Sequence, residues 1–170
     1  MSIRLATLHD LPALLALLRR IIPLMQEAGN FQWDDTYPNA AVFSDDITKQ
    51  QLWVAEIDGQ LAGVSAITTD QEPTYADVGW DITEPAIVTH RLAVDPAFRG
   101  KGVAKALLAQ ADEVARERGI SVLRIDTNTQ NKVTQQLFPV LGYVYAGEIG
   151  LDFRPSLRFL CYEKRLPVTY

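Results

Sequence analysis

The feature that most constrains this chain is a loop with two glycines between a strand-like segment and a helix-like segment. Residues 87–94 are rich in apolar and β-branched residues, and the loop from Arg99 to Ala104 leads into the helical pattern of 105–108. Glycines let the backbone approach a ligand without Cβ obstruction, and the N–H groups at a helix start converge on one point. The helix dipole, with Arg99 and Lys101, favours an anion there. The loop therefore predicts a phosphate-binding site.

Two common phosphate-binding motifs do not fit this loop. A Walker loop ends in Gly-Lys followed by a hydroxyl residue, but Gly100 and Lys101 are followed by Gly102. The dinucleotide fingerprint needs a small residue three positions after its second glycine, where Lys105 stands. The segments before the loop are also strand-like and lack the βαβ entry of a Rossmann unit. Both nucleotide folds are therefore disfavoured.

Apolar spacing and turn residues predict alternating helices and strands along the chain. Thr7 and Asp10 have the spacing of a capping box, Asp58-Gly59 is a strong hairpin turn, and Gly119 is placed to end a helix. The predicted helices are 11–28, 39–50, 102–118 and 131–141, and the predicted strands are 52–57, 60–69, 86–94, 121–127, 143–149 and 157–165. This order favours one α/β (α+β) domain over residues 1–170, with a mixed, mostly antiparallel sheet flanked by helices.

Composition and charge exclude several classes of function. The formal net charge of -5 over 170 residues argues against a nucleic-acid partner, since such surfaces need clustered cations. Cys161 is the single cysteine, so the chain has neither an internal disulfide nor a cysteine metal site. Residues 11–25 include prolines and arginines, which exclude a signal peptide or membrane span there. We therefore expect a cytoplasmic protein with no metal and no membrane partner.

The residues around the loop form a longer, ordered pattern. Arg99, Gly102 and Ala104 give Arg-x-x-Gly-x-Gly/Ala after Leu92-Ala93-Val94 and Asp-Pro, and Asn131 begins a helix that ends in Leu141-Gly142-Tyr143. In this order and spacing the segment 87–145 resembles motif A and the following elements of the GNAT N-acetyltransferase superfamily. The rest of the chain fits the element order of that family more loosely.

The resemblance implies the GNAT fold and acyl transfer from acetyl-CoA to an amine by direct transfer in a ternary complex. It implies that the pantetheine arm pairs with the backbone of Leu92 and Val94, and that an N–H near Leu92 or Ala93 stabilises the oxyanion. The implied cofactor-binding residues are Leu92, Ala93, Val94, Arg99, Gly100, Lys101, Gly102, Val103, Ala104 and Asn131. The expected acceptor is a small-molecule amine or a peptide, and a homodimer is left open.

The catalytic residues follow the family pattern only in part. Phe138 stands four residues before Gly142, where the family usually has a tyrosine that protonates the leaving thiolate, and Pro139 should distort that helix. Tyr143, Tyr145 or water could supply the proton instead. The loss of the tyrosine also leaves a second function open, a non-catalytic acetyl-CoA-binding sensor.

His90 is the predicted general base. It lies two residues before Leu92 on the strand expected to line the acetyl group, and imidazole ordinarily titrates near neutral pH. A purely structural histidine is the alternative.

The acceptor site is predicted from aromatic residues in irregular segments. Trp33, Tyr37 and Trp80 lie there together with several carboxylates, a mixture that suits an ammonium group through cation–π contact and charge. Trp33 and Tyr37 would equally serve to cover the first helix. The sequence does not distinguish among classes of amine.

Overall fold

The structure, a computed structural model, describes residues 1–168, which contain four α-helices and seven β-strands. The helices are α1 (Leu11–Glu27), α2 (Ala40–Thr48), α3 (Val103–Glu117) and α4 (Lys132–Val140). The strands are β1 (Ser2–Leu5), β2 (Leu52–Ile57), β3 (Gln60–Thr68), β4 (Ile87–Val94), β5 (Val122–Asn128), β6 (Val144–Leu151) and β7 (Arg154–Arg165). The strand order is β1-β2-β3-β4-β5-β7-β6, with β4 and β5 parallel and the β1–β2, β2–β3, β5–β7 and β6–β7 pairs antiparallel. The predicted mixed, mostly antiparallel sheet flanked by helices is confirmed.

The first strand, β1, is the one strand that the sequence analysis missed. It has only four residues, so Ile3 and Leu5 give too short an alternation to be recognised as a strand. Its partner is β2, with Ile3 opposite Ala55. The other predicted strands and the four predicted helices are all present, with ends that differ by a few residues.

Local turn and capping signals predicted the connections well. Asp58 and Gly59 both have left-handed backbone, with φ of 51° and 75°, as a type I′ hairpin turn requires. Gly119 follows α3 with φ of 67°, as predicted. The capping box is also present, since the Thr7 N–H donates to Asp10 Oδ2 at 2.7 Å. It caps a short 3-10 turn that leads into α1.

Asp10 gives the fold a testable pH dependence. Arg4 donates to both carboxylate oxygens of Asp10 at 2.8 Å, and these hydrogen bonds hold the pKa of Asp10 below its ordinary value of 3.8. A carboxylate whose pKa is lower in the folded state stabilises the fold at pH values above its ordinary pKa. This contribution is lost as the pH falls through the folded-state pKa. We expect Asp10→Asn to lower the unfolding free energy by on the order of 1 kcal/mol at neutral pH. The difference should vanish in acid, as measured by denaturant unfolding at several pH values.

A matched control uses an exposed carboxylate. Asp58→Asn, in the hairpin turn, should show a much smaller pH-dependent loss. An Asp10→Asn loss that stays constant from neutral to strongly acidic pH would contradict the role of the Asp10 charge.

The internal contacts divide the described residues into two compact units, residues 1–67 with 90–110 and residues 68–89 with 111–168. The core of the first unit packs α1 and α2 residues against β2 and β3 and includes Leu14, Leu17, Phe43, Leu52 and Val64. The core of the second unit includes Tyr75, Val88, Ile149, Phe159 and Cys161. The single domain over residues 1–170 stays a prediction.

Candidate functional site

The predicted anion loop lies between β4 and α3 in the first unit. Asp95 stabilises its start, since Oδ1 accepts the Ala97 N–H at 2.9 Å and Oδ2 accepts from Arg20 at 2.6 Å. Gly102 is the last residue before α3, and its carbonyl accepts the Ala106 N–H at 3.0 Å. The N–H groups of the first turn of α3 come before this bond and have no acceptor within the helix.

The two glycines of the loop have the geometry of a cradle. Gly100 and Gly102 both have φ of 76°, a backbone conformation that side chains with a Cβ rarely adopt. A Cβ added at either position would meet nothing within 4 Å, so the space beside the loop is open. Arg99 and Lys101 are exposed next to it. The loop therefore fits a phosphate group, and the pyrophosphate of CoA is one that it would accept.

Gly63 on β3 sets the close packing behind the loop, and the sequence analysis did not single it out. A Cβ at Gly63 would lie 2.6 Å from Val103 Cγ1 and 2.9 Å from the Ala93 carbonyl oxygen. Glycine at this position therefore lets the start of α3 and the end of β4 both lie close to β3. A glycine inside a strand pattern was the signal for such a close approach.

Residues 90–94 of β4 form the strand segment that is predicted to take part in catalysis. His90 is half-buried, and Leu92 and Val94 pack against the cluster of Val103 and Leu107. Ala93 belongs to a different cluster, the core around α1. His90, Leu92–Val94 and the loop 99–104 all belong to the first unit, and their roles in one site stay a prediction.

Arg91 is a feature of this strand that the sequence did not indicate. Its φ is 52°, left-handed backbone in the middle of β4. Its guanidinium contacts Asp46 of α2 and the hydroxyl of Tyr37. Burial lowers the pKa of this guanidinium, but hydrogen bonds and charge from Asp46 and Tyr37 outweigh burial and give a net rise.

The first unit also holds two of the three predicted acceptor residues. Trp33 is only 4% exposed and belongs to the core cluster that includes Leu14 and Phe43. Tyr37 is half-buried, with its hydroxyl at 3.1 Å from Arg91 Nη1. The burial of Trp33 favours the packing role, while its acceptor role stays a prediction.

Trp33→Ala separates these two roles. Removing a buried tryptophan from a core typically lowers the unfolding free energy by about 3–5 kcal/mol, and we expect that loss here. If Trp33 also binds the acceptor, the acceptor KM per folded enzyme rises while the acetyl-CoA KM is unchanged. Phe31→Ala is the control, because Phe31 lies two residues away and is exposed. A Trp33→Ala variant as stable as the parent would contradict the packing role.

Trp80, the third predicted acceptor residue, lies in the second unit and already has a cationic partner. The guanidinium carbon of Arg124 lies 4.9 Å from the centre of the Trp80 ring, and Tyr75 packs edge-on at 5.1 Å. Arg124 is buried and also binds Glu163 at 2.9 Å. One face of the Trp80 ring is therefore used within the protein, and an acceptor contact by Trp80 stays a prediction.

Helix α4 carries the predicted cofactor residue of the second unit. Asn131 is its N-cap, with Oδ1 accepting the Thr134 N–H at 3.2 Å, so part of this side chain serves the helix. Its contact with the cofactor stays a prediction. Pro139 lies inside α4, which continues to Val140.

Phe138, which stands where the family usually has a tyrosine, packs against aromatic residues of the second unit. Phe138 is fully buried, with ring centres 5.8 Å from Tyr143 and 5.4 Å from Tyr162. Tyr143 is itself buried, and burial raises the pKa of its hydroxyl. Lys164 Nζ lies 5.6 Å from the centre of the Tyr143 ring. A proton-donor role for Tyr143 stays a prediction, in an environment that makes its proton hard to release.

A comparison with family models decides the family of the chain. The model of the acetyltransferase (GNAT) family matches residues 18–143, which include the loop, β4 and α4. The chain belongs to the GNAT acetyltransferase family.

Curated relatives of this GNAT protein include human N-acetyltransferase 8B. The two are 30% identical over 110 residues, which cover 61% of this chain and 45% of the human protein. Zebrafish N-acetylaspartate synthetase is 29% identical over 97 residues, which cover 57% of this chain and 30% of that protein. The GNAT chain thus matches less than half the length of these relatives.

Solved structures agree with the GNAT fold. A GNAT acetyltransferase from Streptococcus agalactiae has a TM-score of 0.83 at 28% identity and covers 98% of this chain and 96% of its own. The putative acetyltransferase yncA from Salmonella typhimurium, solved with acetyl-CoA, has a TM-score of 0.73 at 19% identity. It covers 100% of this chain and 96% of its own. At that identity it supports the fold alone.

The described residues of the GNAT chain include neither a metal-binding cluster nor a membrane-spanning helix. Within residues 1–168, no group of three or more His, Cys, Asp or Glu side chains could hold a metal ion. Over the same residues, every helix is too short or too polar to cross a membrane.

Proposed function

We propose that this chain is an acetyl-CoA-dependent N-acetyltransferase that moves an acetyl group to an amine of a small molecule or peptide. The observation that carries the proposal is the open loop at the start of α3. There Gly100 and Gly102 both have left-handed backbone and no atom within 4 Å of an added Cβ. The chain belongs to the GNAT family, and acetyl-CoA, the cofactor that this implies, carries a pyrophosphate that the loop would accept.

The chain would hold acetyl-CoA with groups of the first unit. Arg99 and Lys101 supply positive charge, and the N–H groups of Gly102, Val103 and Ala104 are the donors for a pyrophosphate. The backbone of Leu92 and Val94 offers pairing to the pantetheine arm, as a strand edge does for an added strand. These residues orient the thioester, and no metal takes part in the proposal.

The chemistry needs two further contributions from the chain. The acceptor ammonium must lose a proton before it attacks, and His90 is the proposed general base for that step. Negative charge then develops on the carbonyl oxygen, and a main-chain N–H of Leu92 or Ala93 is the proposed donor. Such a donor is typically worth about 10²- to 10³-fold in rate. The acetyl group passes directly to the amine as the C–S bond breaks. The nitrogen gives its second proton to solvent, and the CoA thiolate takes a proton from water.

The proposed function is tested by measuring release of the free CoA thiol from acetyl-CoA with a panel of small amines and peptides. An N-acetyltransferase releases thiol faster with at least one amine than with water alone. Gly102→Val is the matched control and should abolish the amine-dependent rate.

Phe138, which stands where the family usually has a proton-donating tyrosine, favours one alternative function, an acetyl-CoA-binding sensor without catalysis. Such a protein binds acetyl-CoA, and its rate of thiol release stays at background with every amine in the panel.

A cytoplasmic location and a homodimer also stay predictions.

A further inference from the structure

The backbone at Arg91 is unusual for its place in the fold. Among residues 1–168, the non-glycine residues with left-handed backbone are Gln50, Asp58 and Arg91, with φ of 53°, 51° and 52°. Gln50 follows the end of α2 and Asp58 lies in a hairpin turn, where this conformation is common. Arg91 lies inside β4. Left-handed backbone with a Cβ is strained, and in a strand it is typical of a bulge that turns neighbouring groups out of the regular ladder.

Three hydrogen bonds fix the Arg91 side chain. Its Nε and Nη2 donate to the two oxygens of Asp46, both at 2.7 Å, and its Nη1 lies 3.1 Å from the Tyr37 hydroxyl. The Asp46 side chain is 2% exposed and also accepts from Gln51 at 2.8 Å. A bidentate pair of this kind fixes direction as well as distance. Asp46 and Tyr37 therefore hold the arginine in one geometry.

Arg91 and its two partners, Asp46 and Tyr37, form a clamp whose position matters for catalysis. Arg91 immediately precedes Leu92 and Ala93, whose N–H groups are the proposed oxyanion donors. Tyr37 lies on the segment that is predicted to contact the acceptor. A change in the Arg91 backbone would turn those N–H groups, and such donors act only when they are aimed at the developing charge.

We propose that Arg91 is a positioning residue that Asp46 and Tyr37 hold in the left-handed conformation, so that the next N–H groups on β4 are aimed for acyl transfer. The proposal rests on the proposed function. Arg91 then has no contact with the substrate, and its backbone conformation rather than its charge is what acyl transfer requires.

Comparing Arg91→Ala with Arg91→Gly tests this requirement. Both variants remove the guanidinium, but only glycine adopts a φ near 52° without steric cost. We expect Arg91→Ala to lower kcat by roughly 10²-fold, and Arg91→Gly to recover about tenfold of that loss. The acetyl-CoA KM should stay within about threefold of the parent value in both. Equal kcat values for the two variants, or a parental kcat for Arg91→Ala, would overturn the proposal.

Asp58 provides a matched control for strain alone. Its φ of 51° is nearly the same, and it lies in the exposed hairpin turn. Asp58→Ala and Asp58→Gly should differ in thermal stability while both keep the parental kcat. If these two variants differ in kcat as much as the Arg91 pair does, general destabilisation explains the effect and the proposal fails.

Tyr37→Phe is a milder variant that leaves β4 untouched. It removes only the hydroxyl that Arg91 contacts, and we expect kcat to fall by about threefold to tenfold with an unchanged acetyl-CoA KM. An unchanged kcat would remove Tyr37 from the clamp. These outcomes are separate from failure of the proposed function, which would appear as the absence of amine-dependent turnover in the parent protein.

Discussion

Gly102→Val is expected to raise the Kd for acetyl-CoA by roughly 10²-fold or more, which corresponds to about 2.7 kcal/mol. Two effects combine. Valine is β-branched and cannot adopt the φ of 76° that Gly102 has, so the loop must rearrange and its N–H groups lose their common direction. The side chain also enters the open space where the ligand would lie. Isothermal titration calorimetry with acetyl-CoA measures the change.

Gly119→Val is the matched control for this experiment. Gly119 is at the opposite end of α3, has φ of 67°, and would likewise have no atom within 4 Å of an added Cβ. This variant should lose stability in the same way and keep the parental Kd. Equal acetyl-CoA affinity in the parent and in Gly102→Val would remove the loop as the cofactor site.

His90→Ala is expected to lower kcat by on the order of 10²-fold or more while the Kd for acetyl-CoA stays unchanged. A general base takes part in proton removal and not in cofactor binding. The variant should also differ from the parent protein in how its rate depends on pH. Initial rates across a pH series, with calorimetry on the same samples, measure both properties.

His9 is a useful control, since it is the only other histidine in the chain and is exposed near the start of α1. His9→Ala should keep the parental rate and pH profile. If His90→Ala also keeps both, the proton is removed by a water relay, or the amine loses it in solution, and His90 is structural.

The parts of the fold that could be predicted are those with a local physical cause. The Asp58-Gly59 turn and the loop with Gly100 and Gly102 need left-handed backbone, and glycine is the residue that permits it at little cost. Helix α1 shows its buried face in the spacing of its leucines. Strand β1 has only four residues, so its pairing with β2 decides its structure more than its own pattern does.

The sequence predicted the part of the candidate site that lies on one continuous segment of the chain. The loop, β4 and the start of α3 are adjacent in the chain, so a motif could identify them together. Arg91 gave no such signal, because its conformation depends on Asp46 and Tyr37, which lie 45 and 54 residues away.

The surroundings of the aromatic residues also could not be predicted from the sequence. Exposed and buried tryptophans look alike in a sequence, and only tertiary packing places Trp33 in the core of the first unit. The contact of Arg124 with Trp80 also joins distant segments, 44 residues apart. Phe138 was recognised as a departure from the family, but its packing against Tyr143 and Tyr162 required the structure.

Product analysis tests the central claim most directly. Acetyl-CoA is incubated with the protein and with whichever amine of the panel gives the fastest thiol release, and the acetylated amine and free CoA are quantified by mass spectrometry. Gly102→Val is run in parallel. Transfer predicts that the acetylated amine forms in a one-to-one ratio with free CoA, and that Gly102→Val forms neither above background. Tight acetyl-CoA binding by the parent protein with no acetylated amine from any member of the panel would contradict the claim.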